Sequence, residues 1–460
     1  MLTRLLPWLG SFISLCPDTK RYLSYADAIL TDPSWLHPGT RCIARDLPGF
    51  SLLMALCQSL FKEEGWQGGL WLVHLFFLGV SAYSLHIFTK ELSFKPWVRR
   101  FFVFSYATGL PLYYTQLILK DSVFCSLSVI SLSLSGLVFL RKRLSRLHGT
   151  LLFIVMTILG FWSEAGLVFL LSLAPLWSIL GIEKRWGLFA KTAGLCLMTV
   201  LITQGTIRAW NLYRAGSPFM TQNQESVLPN QLAEMEARCP GIIEDTCLKD
   251  YKQMVYASIE RGAPGGNGAA LEKMKKENIG YATIERLIYM DFVKLWFLHP
   301  IKSVRFFFLH ERTFGLCAYL SLWPPCGITN LAYKEAMRKG GFTPLPKNSH
   351  PRMFSLFSMV SSAFLLLLVI LRMGTLFRKR LNPRRSPLLS ELKREHALLY
   401  IALFLHCAIF IGVYLIAMAM DLEYRYIISS LTFLGFLGWW TVSDGCVFFQ
   451  EKKAMSPPVS

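Results

Sequence analysis

Apolar stretches long enough to cross a bilayer recur along this chain of 460 residues, and that spacing constrains the fold more than any other feature. A bilayer core takes about 20 apolar residues in a helix. Backbone N–H and C=O groups in lipid must pair within their own segment, which favours helices. Stretches of this kind fall near 68–89, 100–119, 122–140, 187–206, 353–371, 397–418 and 427–449. The apolar region 149–182 is too long for one crossing, since about 34 residues at about 1.5 Å each give about 51 Å. Its one interruption, Trp162-Ser163-Glu164, predicts a helical hairpin with arms 149–162 and 165–182. A shorter segment at 5–16 lacks the small-residue cleavage site of a secretory signal and is expected to stay as a first, tilted or partly inserted helix. A second short apolar helix is expected at 49–61. The expected fold is therefore an all-α polytopic membrane protein with about ten transmembrane helices.

Composition agrees. Hydrophobic residues make up 53 % of the chain and charged residues 17 %, and the mean hydropathy is +0.40. Period-two alternation is absent, which excludes an outer-membrane barrel. A net charge of +19 would suggest nucleic acid in a soluble protein. Here the basic residues collect in short connections, and no aromatic-basic module for nucleic acid is visible.

Those connections orient the chain. Lys90, Lys95, Arg99 and Arg100 form one basic set, and Arg141, Lys142, Arg143 and Arg146 form another. Lys184 and Arg185, then Arg372, Arg378, Lys379, Arg380, Arg384, Arg385, Lys393 and Arg394, and finally Lys452 and Lys453, continue the pattern. Every second connection is basic, so this set is expected on the cytoplasmic side. The opposite side then receives 18–48, Lys120-Asp121, Glu164, 207–350 and 421–425. The isolated acidic residues near helix ends all fall on that one face.

The division expected is an N-terminal transmembrane region 1–206, a mainly helical extramembrane domain 207–350 and a C-terminal transmembrane region 351–460. The glycine run 262–268 lacks the Gly-Lys-Ser/Thr of a phosphate loop and reads as a flexible connector. Residues 284–298 are almost wholly apolar, and Pro300 starts a helix reaching Arg312. Both helices are expected on or in the membrane surface. Cys239 and Cys247, Cys317 and Cys326, and Cys16 and Cys42 are pairs that could oxidise outside the cytoplasm, with a Cys239–Cys247 disulfide expected first. No CxxC or His-rich pattern supports zinc.

Several residues can carry chemistry. Asp18, where the first helix leaves the membrane, suits either an N-cap or a general base acting on a hydroxyl. Asp121 suits a helix cap or a polar contact to substrate, and Lys120 an ordinary helix end or an anion site. Glu164 interrupts an apolar run at or near membrane depth, where ionisable residues are paired or functional. Arg425 suits snorkelling or phosphate binding. Arg305 and Arg312 suit anionic lipid or phosphate. His310 and Glu311 read as an ordinary surface helix turn.

The order Asp18-Thr19-Lys20-Arg21-Tyr22, then 26–30, then Leu47-Pro48-Gly49-Phe50 leading an apolar helix, resembles the start of GT-C glycosyltransferases. The similarity is greatest to the group containing protein O-mannosyltransferases and the lipid A aminoarabinose transferase. His299-Pro300 and Glu423-Tyr424-Arg425-Tyr426 extend it loosely over the chain.

The resemblance implies inverting sugar transfer from a polyprenyl-phosphate donor to a hydroxyl of a lipid, glycan or protein. It implies Asp18 as catalytic base, and Arg425, Lys120, Arg305 and Arg312 toward the donor phosphate. Arg21, Tyr22, Asp121, Glu164, Glu423 and Tyr426 are implied toward acceptor or sugar. Thr19 stands where relatives carry a second acid, so a divalent metal is left open as the one cofactor. The expected location is a bacterial inner membrane with 207–350 on the periplasmic or external side. Two other readings stay open: an O-antigen ligase or polymerase with essential arginines in the large loop, and a transporter or flippase. The inverted repeats that would mark a transporter are not visible.

Overall fold

A computed structural model describes residues 19–31, 47–115, 120–215, 218, 235–236, 239–246, 249–251, 253, 290–291, 294–308, 352–381, 391–418 and 428–455. Among these residues the long elements are all α-helices, with no strand. They are α1 (Thr19–Thr31), α2 (Pro48–Glu91), α3 (Pro96–Thr108), α4 (Leu110–Thr115), α5 (Asp121–Arg141), α6 (Arg146–Trp162), α7 (Glu164–Ser172) and α8 (Ala174–Ile182). They continue as α9 (Trp186–Ala215), α10 (Pro300–Phe308), α11 (Arg352–Leu381), α12 (Glu391–Met418) and α13 (Ile428–Met455). Within the described residues, five stretches are long and apolar enough to cross a membrane: Gly65–Glu91, Asp121–Arg141, Ala165–Ile182, Trp186–Tyr213 and Arg394–Val413. The segment 5–16 lies outside the described residues.

α2 is continuous in its helical assignment over 44 residues, yet it is not one rod. The rings of Phe50 and His74 stack with centroids 6.2 Å apart, whereas a straight helix would separate them by about 36 Å. A Cβ on Gly69 would stand 2.2 Å from the Phe61 ring. The chain therefore doubles back between Phe61 and Gly69, through the polar Lys62-Glu63-Glu64-Gly65. Residues 49–61 lie in the first arm and 68–89 in the second.

The stretch 100–119, expected as one span, is divided. Gly109 leaves the helical region (φ −88°, ψ −141°) between α3 and α4. Pro111 follows two residues later; it has no N–H to continue the ladder and disfavours helix in the residue before it. The turn at Ser163 is a true reversal. Ser163 is extended (φ −153°, ψ 148°), and a Cβ on Gly166 would meet the Leu159 carbonyl oxygen at 2.2 Å. The return arm is α7 followed by α8, joined at Leu173.

α5 is the centre. It is apolar on every side and buried almost throughout, as a helix surrounded by other helices should be. It packs against α2, α4, α6, α12 and α13, most closely where a Cβ on Gly136 would fall 2.4 Å from the Phe88 ring. α9, in contrast, leaves Leu197, Leu201 and Ile202 exposed.

One end of the bundle is tied by ion pairs. Arg141 pairs with Glu91. Buried Glu395 accepts from both Lys142 and Arg185, and Arg394 pairs with Glu183 at 3.3 Å. Arg372 reaches Asp444 at 2.6 Å and lies over the rings of Tyr400 and Trp440. These contacts bring the basic connections after α2, α5 and α8 to the same end as the start of α12, and with them Glu91, Glu183 and Glu395, which corrects the expectation that the acidic residues near helix ends all share the opposite face.

The close approaches yield a contrast. Gly166→Ala is expected to lower the thermal midpoint in detergent, because overpacking costs about 1–3 kcal/mol. Gly79→Ala, with open space around it, is expected to be neutral or slightly stabilising, since alanine is the better helix former by up to about 1 kcal/mol. Thermal unfolding of the two purified variants beside the parent checks both.

Candidate functional site

The opposite end of the bundle joins segments far apart in sequence. α1 offers Thr19, Tyr22 and Ala26 as a buried stripe, at the three- and four-residue spacing that puts side chains on one helix face. That stripe packs on α2, where the Tyr22 ring meets Phe50 edge-on with centroids 5.0 Å apart. Gln58 on α2 donates to the Asp27 carboxylate at 3.2 Å.

Phe50 is a hub. Besides Tyr22 it meets Trp162 edge-on at 5.8 Å and stacks on His74. The preceding residues explain how it arrives there. Pro48 opens the helix, a position where its missing N–H costs nothing. Gly49 lies so close to α6 that a Cβ would stand 2.9 Å from the Phe161 carbonyl oxygen, so a larger residue would push Phe50 away.

Trp162 links this hub to the start of α5. Its indole N–H donates to the Lys120 carbonyl at 2.7 Å in a buried bond. The same carbonyl accepts the Phe124 N–H at 3.1 Å. Lys120 is 7 % exposed and Asp121 4 % exposed, so a cation and a carboxylate stand side by side, withdrawn from water, at a helix N-terminus. The helix dipole favours Asp121 there and disfavours Lys120. Glu164 takes the matching position on α7, first in the helix after Ser163, whose hydroxyl accepts the Ala165 N–H at 3.3 Å.

Two further residues join the group without having been expected. Trp71 donates to the Thr115 hydroxyl at 3.2 Å, and His74 Nδ1 lies 3.1 Å from the Thr115 carbonyl. A carbonyl only accepts, so Nδ1 carries the proton and Nε2 presents a lone pair. Among the described residues that buried Nε2 has no hydrogen-bond partner. An ionisable residue inside an apolar run was the available signal for His74.

Of the residues expected from sequence, the structure therefore brings together Tyr22, Lys120 and Asp121, with Glu164 at the turn following Trp162. Arg21 lies on α1 and Arg305 on α10, where it is exposed. Asp18, Arg312, Glu423, Arg425 and Tyr426 lie outside the described residues, as do His310 and Glu311. Among the described residues no three His, Cys, Asp or Glu side chains group to hold a metal ion.

Cys239 has no disulfide among the described residues, and the expected Cys239–Cys247 pairing falls on Cys247, which lies outside them. The turn beside Cys239 is closed by the buried Glu236 carboxylate, which accepts the N–H groups of Gly241 and Ile243, both at 2.9 Å. The other two expected pairs lie outside the described residues.

No family model, curated protein or solved structure matches the chain.

The hub makes a graded prediction. Phe50→Ala is expected to cost about 3–5 kcal/mol, because it empties the contact shared by three rings. Trp162→Phe keeps the ring and removes one hydrogen bond, with an expected cost of about 1 kcal/mol. Denaturation of both variants in detergent should place Phe50→Ala well below Trp162→Phe.

Proposed function

We propose that this end of the bundle is the active site of a membrane glycosyltransferase. It would move a sugar from a polyprenyl-phosphate donor to a hydroxyl of a lipid, glycan or protein. The observation that carries the reading is the buried Lys120-Asp121 pair, held by Trp162 beside the first-loop helix and its aromatic contact Tyr22–Phe50. The ordered resemblance to GT-C enzymes supplies the reaction class. In this reading the chain crosses a bacterial inner membrane about ten times, and the site faces the periplasmic or external side with 207–350.

In the reaction the acceptor oxygen attacks C1 of the sugar as the bond from C1 to the phosphate oxygen breaks, inverting the anomeric centre. The acceptor's proton passes to the Asp18 carboxylate, and polyprenyl phosphate departs with the bonding electrons. Its growing negative charge requires fixed cations, and such charge stabilisation is strongest where water is excluded. Lys120 meets that need as a buried cation, with Arg425 its partner in this reading. Asp121, Glu164 and Tyr22 line the acceptor or sugar side, together with Arg21, Glu423 and Tyr426. A divalent metal is not required by this scheme, and one could act only with carboxylates such as Asp18 and Asp121 brought together.

The test is transfer of radiolabelled sugar from polyprenyl phosphate by membranes carrying equal amounts of each variant. Asp18→Asn is expected to lose about 10²–10⁴-fold in rate, the range of general-base catalysis. Lys120→Met is expected to lose about 10²–10³-fold, as for a removed charge-stabilising group. Loss with Arg305→Gln alongside tolerance at Asp18 and Lys120 would move the chemistry to the large loop and favour the ligase reading. No transfer by the parent with any donor would remove the glycosyltransferase reading.

A further inference from the structure

The short helical stretch 294–305 has two faces of opposite character. It includes the start of α10, and the helical path passes through Pro300: the His299 N–H bonds to the Leu295 carbonyl at 2.8 Å and the Ser303 N–H to the His299 carbonyl at 2.9 Å. On one face Leu295 and Ser303 are buried. This face is clamped to the turn Ile243–Asp245. His299 Nε2 lies 2.8 Å from the Asp245 carboxylate, and Lys294 donates to the Asp245 carbonyl at 3.0 Å.

The other face is apolar and open. Phe297 and Ile301 are each 81 % exposed, and Val304 and Leu298 are also exposed. At 3.6 residues per turn, Phe297, Ile301 and Val304 fall within about 60° of arc. Lys302 and Arg305, both exposed, flank this arc on one side only, with Leu298 between. The stretch is placed by the clamp, so its outward face is fixed rather than free to roll. α10 also packs against α12, one of the helices of membrane-crossing length.

We propose that residues 294–305 form a one-sided insertion surface seated on the anionic headgroup plane of the bilayer. Phe297, Ile301 and Val304 enter the boundary between headgroups and acyl chains, and Lys302 and Arg305 meet lipid phosphates along one edge. Large apolar side chains this exposed mark an interaction surface. An apolar arc edged by cations is the pattern of a helix lying in the interface plane, and each basic residue near an anionic leaflet adds about 1 kcal/mol. Contact with α12 places the surface beside lipid rather than far from it. The proposal stands independently of the reaction assigned to the site.

The experiment uses the full chain in nanodiscs of phosphatidylcholine with or without phosphatidylglycerol, each doped with a phospholipid carrying a photoactivatable acyl chain. After irradiation and trypsin digestion, lipid adducts are mapped on peptide 295–302 and on peptide 192–208, which contains the exposed Leu197 and Leu201 of α9. Adducts are expected on both peptides. Yield on 295–302 is expected to fall several-fold without phosphatidylglycerol, while 192–208 labels unchanged and so reports an intact bundle. In the Lys302→Glu/Arg305→Glu double variant, which loses the tryptic sites at 302 and 305, the same fall is expected on the peptide 295–312. Labelling of 192–208 with none on 295–302 would overturn the insertion surface. Equal labelling of 295–302 in both lipid mixtures would overturn the anionic headgroup assignment. Single-residue Phe297→Asp and Ile301→Asp variants, read by the same adduct yield, test the apolar arc without altering its charged edge.

Discussion

The structure depends on the absence of water in the hydrocarbon layer, where a polar group left unpaired costs several kcal/mol, or about 2–7 kcal/mol on transfer scales. Helices answer this for the backbone, and some hydroxyl side chains in the spans answer it by turning back, whereas Ser128, Ser131, Ser133 and Ser135 of α5 are buried with no hydrogen-bond partner among the described residues. Ser81 donates to Leu78, Thr89 to Leu85, Thr199 to Leu195 and Thr203 to Thr199. At three breaks of the helical ladder among the described residues a compensating group is present. Ser163 breaks it with a hydroxyl that captures the next free N–H. The carbonyl of Thr115 at the end of α4 meets His74, and that of Ser172 at the end of α7 meets His406 at 2.9 Å. Each of these histidines is thus a donor to a carbonyl released by a helix end, which gives a buried imidazole a reason to lie inside a bundle.

Close approach is the second requirement, because lipid supplies no hydrophobic drive to press one helix on another. Glycines mark where it is met. Gly160 faces Thr203, Gly438 faces Leu365, and Gly49 faces the backbone at Phe161. The last of these connects packing to chemistry: it sets the depth of Phe50, Phe50 sets the position of Trp162 and Tyr22, and Trp162 holds the Lys120 carbonyl.

Helix length and apolar composition were legible in the sequence because they are local properties. The interruption at Trp162-Ser163-Glu164 was legible for the same reason: two adjacent polar residues, Ser163 and Glu164, in an apolar run have few explanations. The doubling back inside α2 is different. Its evidence is the meeting of Phe50 with His74, a tertiary contact that no local pattern contains. The break at Gly109 could have been read from Pro111, but apolar residues on both sides concealed it. The turn after Cys239 is closed by the Glu236 carboxylate, a contact that the sequence did not announce. At the candidate site, Lys120 and Asp121 stood out as charges at a helix end, while Phe50 was singled out only within the Pro-Gly-aromatic segment and Trp162 only within the hairpin interruption, neither as a site residue. Their joining depends on ring geometry across helices.

The two ends of the bundle use charge in different ways. At the basic end, cations meet carboxylates across helices: Arg141 with Glu91, Lys142 and Arg185 with Glu395, Arg394 with Glu183, Arg372 with Asp444. Most of these pairs retain access to water at one partner or both, where such contacts contribute little to stability, about 0–1 kcal/mol each; their effect is to fix which connections lie together. At the other end, among the described residues, Lys120 and Asp121 are withdrawn from water at the start of α5. The helix terminus favours the aspartate and disfavours the lysine, and each keeps an interaction within the protein. The contrast is thus one of burial: the pairs at the basic end are held across helices with water at hand, whereas Lys120 and Asp121 adjoin in sequence and lie inside the bundle, on a backbone carbonyl fixed by the Trp162 indole.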